Sequence, residues 1–173
     1  MPRDNVGVAI AVPEPFASTL ASWRERVGDP EGHRVPPHVT LLPPTLVRTD
    51  RLPAAERHLA KVAADGEPFE MHLSGTGTFR PVSDVVFVVV AAGIAQCEQL
   101  ELRVRSGPLA RRTRFPYHPH VTVAHDVPDE QLDAAYAGLT TFEARFPVHG
   151  FTMFEQGSDG VWRPRREFPL GTG

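Results

Sequence analysis

A chain of 173 residues, 41% hydrophobic and 23% charged, is long enough to bury one domain core and too apolar for intrinsic disorder. Its net charge of -3 excludes a general duplex-DNA binder, which needs a basic excess, and it has no apolar run near the roughly 20 residues that cross a bilayer as a helix. The N-terminal segment reads as lacking a signal peptide and the lone cysteine, Cys97, as a free thiol of a reducing compartment, so a cytoplasmic location is expected.

In chain order, the apolar run from Val6 to Val12, ended by Pro13, predicts a buried strand. Phe16, Leu20, Trp23 and Val27 follow at helical spacing, and Gly28-Asp29-Pro30 stops that helix. His38 to Leu42 predicts a short strand closed by Pro43-Pro44. Asp50 is the predicted N-cap of a helix with Leu52, Ala55, Leu59 and Val62 on one face and Gly66 at its end. Phe69 to Phe79 alternates as a strand does, and Val85 to Val90 is the most β-prone run in the chain. Ile94, Cys97, Leu100 and Val104 mark a helix that stops at Gly107-Pro108, and a long loop leads to a strand over His120 to Ala124. Leu132, Ala135, Tyr136 and Leu139 predict the last helix, entered through Asp126 to Asp129. Two strands, near Ala144 to Glu155 and Val161 to Phe168, flank a turn from Gln156 to Gly160.

The elements repeat. PPHVTLLPP, residues 36–44, is matched by HPHVTVAHD, residues 118–126, and the order strand, helix, His-Val-Thr strand, helix, strand runs twice. The chain therefore reads as a single domain over residues 1–173 built of two pseudo-repeats, about 5–79 and 84–168. Alternating strands and helices in both halves support an α/β or α+β fold of two similar lobes.

Strand side chains alternate faces, so His38 and Thr40 point one way and Val39 and Leu41 the other; His120 and Thr122 repeat the arrangement against Val121 and Val123. Two such strands related by a local two-fold axis would bring two imidazoles and two hydroxyls to one cleft. That set suits phosphoryl transfer without a metal. A neutral imidazole takes a proton from the attacking hydroxyl or water, and a protonated one gives a proton to the departing alkoxide. The threonine hydroxyls hold non-bridging phosphate oxygens.

The paired motifs, one per half of a chain of this size, resemble the 2H phosphoesterase superfamily, which includes bacterial 2′-5′ RNA ligase-like proteins and cyclic phosphodiesterases. The resemblance covers nearly the whole chain. It implies an α+β, bilobal, pseudo-two-fold duplicated fold, each lobe a mainly antiparallel sheet with helices outside and a central cleft between the lobes. It implies hydrolysis of 2′,3′-cyclic phosphates or 2′-5′ phosphodiesters at RNA ends or in nucleotides, or reversible 2′-5′ RNA joining. Two departures bear on substrate class. Leu42-Pro43-Pro44 stands where many ligase-like members have an aromatic-Leu-Gly segment, and His125 stands where a basic residue often follows the second motif.

The expected site is then catalytic His38 and His120 with phosphate-binding Thr40 and Thr122, with His120 assigned to the nucleophile and His38 to the leaving group. Tyr117 and Phe115, in the loop before the second motif, are candidates for stacking on a base or for packing, and Arg114 for reaching a phosphate. No metal or cofactor is expected. The expected partner is an RNA terminus or nucleotide bearing a cyclic or 2′-linked phosphate, bound by a monomer away from membranes. Two alternatives stand beside this reading: a non-catalytic RNA-end or nucleotide-binding module, and a metal-dependent hydrolase using His118, His120 and His125.

Overall fold

The computed structural model describes residues 2–171. In chain order these form β1 (Arg3–Ala11), α1 (Phe16–Arg26), β2 (His38–Arg48), α2 (Leu52–Asp65), β3 (Phe69–Thr78), β4 (Val85–Ala92), α3 (Ile94–Val104), β5 (His120–His125), α4 (Asp129–Gly138), β6 (Glu143–Val148), β7 (Gly150–Gln156) and β8 (Trp162–Pro169). The strands make two four-stranded sheets, ordered β2-β1-β7-β8 and β5-β4-β3-β6. Their ladders are antiparallel, and helices flank each sheet.

The halves of the sequence and the lobes of the molecule divide the chain differently. β3, from the first half, lies between β4 and β6 in the second sheet, while β7 and β8, from the tail, complete the first. The helices cross over too: α1 packs on β5 of the second sheet and α3 on β2 of the first. The strand predicted from Ala144 to Glu155 is consequently two strands, parted at His149. β6 pairs with β3 and β7 with β1, so a strand-length run of side chains serves both sheets.

The helical stripes behave as their spacing predicts. Leu52, Ala55, Leu59 and Val62 of α2 are buried, as are Cys97, Leu100 and Val104 of α3 and Leu132, Ala135 and Leu139 of or beside α4; Ile94 and Tyr136 stay on the outer edge. Each fully buried leucine contributes about 1.5–3 kcal/mol relative to exposure. Asp50 is not the cap of α2. It sits in a 3-10 turn before the helix, with Arg51 at the cap, and its carboxylate accepts from Arg48 Nη2 at 2.7 Å.

β2 does not stop at Pro43-Pro44 but runs on to Arg48. The prolines are tolerated because β2 is an edge strand and its register with β1 slips there, so fewer ladder donors are required of it. A slip also falls immediately after each His-Val-Thr motif. The β1–β2 register shifts between Ala9↔Thr40 and Val8↔Leu42, and the β4–β5 register between Phe87↔Thr122 and Val86↔Ala124. Two successive residues then face the core, Leu41 and Leu42 in one strand, Val123 and Ala124 in the other. The two bulges are equivalent by position and burial.

Candidate active site

β2 and β5 are the edge strands of their respective sheets, and they lie against each other where the lobes meet. The alternation expected of the motifs holds: Val39, Leu41, Val121 and Val123 are buried, while His38, Thr40, His120 and Thr122 are half-buried on the opposite face. The hydrophobic half of each motif anchors an edge strand in its lobe, and the polar half is thereby turned toward the junction.

The two histidines are held alike. His38 Nδ1 donates to the carbonyl of Pro36 at 2.7 Å, and His120 Nδ1 donates to the carbonyl of His118 at 2.7 Å. A carbonyl only accepts, so each Nδ1 carries the hydrogen and each Nε2 is left as the basic, titrating atom. Among the described residues neither Nε2 has a protein partner, and neither do the hydroxyls of Thr40 and Thr122. Burial holds both imidazoles below their usual range, against the opposing effect of the carbonyl bonds; the charge of Arg24 adds to this at His38, and those of His118 and His38 at His120.

Two cavities open from this junction. One of about 340 Å³ is lined by His38, Thr40, Arg24, His125, Phe154 and Trp162 among others. The other, about 510 Å³, is lined by His120, Thr40, Phe79, Arg111, Phe115 and Tyr117 among others. They share Thr40 and Pro43. Each volume falls in the range that takes a small ligand. Thr122 lines neither.

The model of the 2′-5′ RNA ligase superfamily matches residues 12–160. The chain belongs to that superfamily. It is 27% identical over 169 residues to "Putative phosphoesterase BH1439" of Halalkalibacterium halodurans, covering 96% of this chain and 98% of that one. Its fold is shared with E. coli LigT in apo form (TM-score 0.70, 21% identity, 99% of this chain and 100% of LigT). It is shared also with TT0787 of Thermus thermophilus (TM-score 0.63, 25% identity, 98% and 100%).

The remaining residues singled out in the sequence divide between the groove of this superfamily member and its surroundings. Tyr117 lines the larger cavity with its ring, but its hydroxyl donates to the Thr40 carbonyl at 2.7 Å, tying the loop before β5 to β2 of the other sheet. Burial pushes this phenol far above its usual range, so it remains a donor. Phe115 also lines that cavity and is exposed. Arg114 lines neither cavity; its guanidinium sits over the Phe115 ring, 5.8 Å from the centroid. The arginine of the loop that does reach the groove is Arg111, whose Nη1 donates to Thr45 Oγ1 at 2.8 Å.

His118, His120 and His125 are not gathered as metal ligands. His118 packs with His120 among the rings of Phe79 and Phe87, whereas His125 lines the His38 cavity and lies 3.3 Å from Asp126. Among the described residues, no group of three or more His, Cys, Asp or Glu side chains is placed to hold a metal ion. A continuous strand would turn His125 away from His120. The bulge at Val123-Ala124 inverts that parity and brings His125 to the groove face.

Arg24 went unmarked in the sequence. It is buried on α1, beside the stripe residue Trp23, and the sole local cue to its pairing was an acidic residue, Asp29, inside the helix stop. The aromatic wall around His120 was equally unmarked: Phe79 and Phe87 lie 5.0 and 5.3 Å from its ring centroid.

Proposed function

We propose that the chain is a metal-independent phosphoesterase that opens a 2′,3′-cyclic phosphate or cleaves a 2′-5′ phosphodiester of an RNA end or nucleotide, with 2′-5′ RNA joining when a 5′ hydroxyl replaces water as the group that attacks the cyclic phosphate. One observation carries the reading: two histidines on facing edge strands, each with Nδ1 fixed on a backbone carbonyl, present unpartnered Nε2 atoms to one junction. Family membership agrees with it. So does the fold shared with E. coli LigT, which has been crystallised with 3′-AMP, ATP, NADP+ and phosphate.

In the hydrolytic direction, one neutral Nε2 accepts a proton from water as its oxygen bonds to phosphorus. The other imidazole, protonated, delivers its proton to the ribose oxygen as the P–O bond breaks. The catalyst ends with its proton moved from one histidine to the other, and exchange with solvent resets it. The unpartnered hydroxyls of Thr40 and Thr122 supply hydrogen bonds to the non-bridging oxygens, whose charge the site must hold.

The test is turnover of adenosine 2′,3′-cyclic phosphate and of a 2′-5′ linked diadenosine in chelator. The expected result is that His38→Ala and His120→Ala each lower kcat by at least about a hundredfold, the usual weight of a general acid or base. Wild-type turnover in either variant overturns the proposal.

A further inference from the structure

The cavity on the His38 side contains a cation that the acid–base chemistry does not use. Arg24 is 8% exposed and Asp29 2%, and Arg24 Nε donates to Asp29 Oδ2 at 2.7 Å. Asp29 is itself fixed, because Oδ1 accepts the backbone N–H of Glu31 at 2.9 Å. A buried ion pair of this kind is costly to desolvate, and a purely structural pair of this volume is replaceable by apolar side chains.

The guanidinium is left half used. Among the described residues neither Nη of Arg24 has a hydrogen-bond partner, yet neither is among the buried polar atoms sealed from solvent without one. Both therefore keep solvent contact, and Arg24 lines the cavity together with His38 and Thr40. The same cavity holds Glu31, whose carboxylate is engaged by Arg34 Nη1 at 3.2 Å, and His125, which lies beside Asp126. Phe154 and Trp162 supply its aromatic wall. A planar, always-charged fork held rigid on one edge and free on the other is the arrangement that takes a phosphate bidentately.

We infer that Arg24 makes the His38 side of the groove a subsite for a second phosphate, so that the preferred ligand is a nucleotide bearing a phosphomonoester in addition to the phosphate placed between the histidines. The inference rests on reading the groove as a phosphodiester site and names the class of ligand that site takes. Asp29 acts as the positioning residue for the guanidinium.

The experiment is equilibrium binding by calorimetry, with adenosine 3′,5′-bisphosphate and 2′,5′-bisphosphate each compared with the 3′- or 2′-monophosphate. The wild type is expected to bind at least one bisphosphate tenfold or more tightly than its monophosphate. In Arg24→Gln that ratio is expected to fall below threefold. Since Arg24→Gln leaves Asp29 buried and charged, the neutral pair Arg24→Gln with Asp29→Asn is measured alongside, with circular dichroism to establish folding. A wild-type ratio below tenfold for both ligands overturns the subsite, as does a ratio of threefold or more that persists in the folded double variant. Because the readout is a binding ratio, it stands apart from turnover. Loss of catalysis without loss of the ratio sinks the acid–base reading alone, and a collapsed subsite with intact histidine dependence sinks only the subsite.

Discussion

Replacing Tyr117 by Phe removes one oxygen and keeps the ring, and so separates the two things this side chain does. The hydroxyl reaches across the junction to the carbonyl of Thr40, on an edge strand, where no further β-strand supplies a donor. A net hydrogen bond contributes about 0.5–1.5 kcal/mol, and leaving its acceptor without a partner in a partly buried place costs about 1–3 kcal/mol. Because this bond is only part-buried, the expected loss is about 1–2 kcal/mol of unfolding free energy, read by urea titration, with a Tm lower by about 2–8 °C for a chain of this size. Thr40 lines both cavities and is two residues from His38, so loosening its strand misplaces both groups. The expected activity of Tyr117→Phe on adenosine 2′,3′-cyclic phosphate is a kcat reduced about three- to thirtyfold, within what misplacement of reacting groups by up to 1 Å can cost. A stacking role alone would leave kcat intact in Tyr117→Phe and raise KM in Tyr117→Leu. Stability within about 0.5 kcal/mol of wild type together with an unchanged kcat would refute the inter-lobe tie, since surface changes commonly stay within that margin.

Gly77→Ala is expected to destabilise the protein by about 1–3 kcal/mol and to depress turnover, because the new Cβ would lie 2.7 Å from the Phe87 ring that packs against His120; full activity and unchanged stability would show that the ring yields freely. Both proposed catalytic histidines have lowered pKa values, so the unfolded chain binds more protons than the native one as pH falls below about 6.5. Stability is therefore complete above that value and declines toward pH 5, by at most about 1.4 kcal/mol per pH unit for each histidine, and His38→Gln and His120→Gln should each flatten the decline in urea titrations. For the same reason kcat/KM, which reports the free enzyme and needs one imidazole protonated, should peak below pH 6.5, whereas the basic limb of kcat moves upward as a bound phosphate anion favours the imidazolium. A kcat/KM maximum at pH 7.5 or above would contradict the burial of these groups.

What was legible in the sequence was local and periodic. The stripes Leu52-Ala55-Leu59-Val62 and Cys97-Leu100-Val104 place α2 and α3 because burial repeats at helical spacing, and the doubled His-Val-Thr places two strands with their polar faces in common. Sheet membership was not legible. Nothing local tells β3 to cross into the second sheet, and Ala144 to Glu155 reads as one strand because a single residue, His149, separates β6 from β7. Parity failed at His125 for a similar reason: a bulge is set by the partner strand's register, here the slip between Val86 and Phe87, and the side chain it redirects lies beyond it. Arg111 and Arg114 are both loop arginines, and only the approach of Thr45 from the other sheet distinguishes the one in the groove. Arg24 is the same case in a helix. Its identity as a surface residue or a cavity residue is decided by elements far away in sequence, such as Trp162 and His125, that close over it.

The repeat places equal groups at the junction but surrounds them unequally, and that inequality gives the groove a direction. Ala9 pairs with Thr40 where Phe87 pairs with Thr122, and Pro43 follows the first bulge where His125 follows the second. Ala9 is small enough to leave the cavity it lines beside His38, whereas at the equivalent place Phe87 fills the space and packs on His120. The opening on the His120 side is displaced accordingly, toward the loop that bears Arg111, Phe115 and Tyr117. A ligand spanning the junction thus meets Arg24, His125 and Trp162 on one side, and on the other a mainly apolar, aromatic wall that also holds Arg111 and His118. Two-fold related imidazoles alone would accept a phosphodiester in either orientation with equal free energy. With these walls the two orientations differ by whatever Arg24 contributes to one end and Phe79, Arg111, Phe115 and Tyr117 contribute to the other. Duplication therefore accounts for the matched pair of histidines, and the divergence of the positions around them, Ala9 from Phe87 and Pro43 from His125, accounts for the unequal walls beside them.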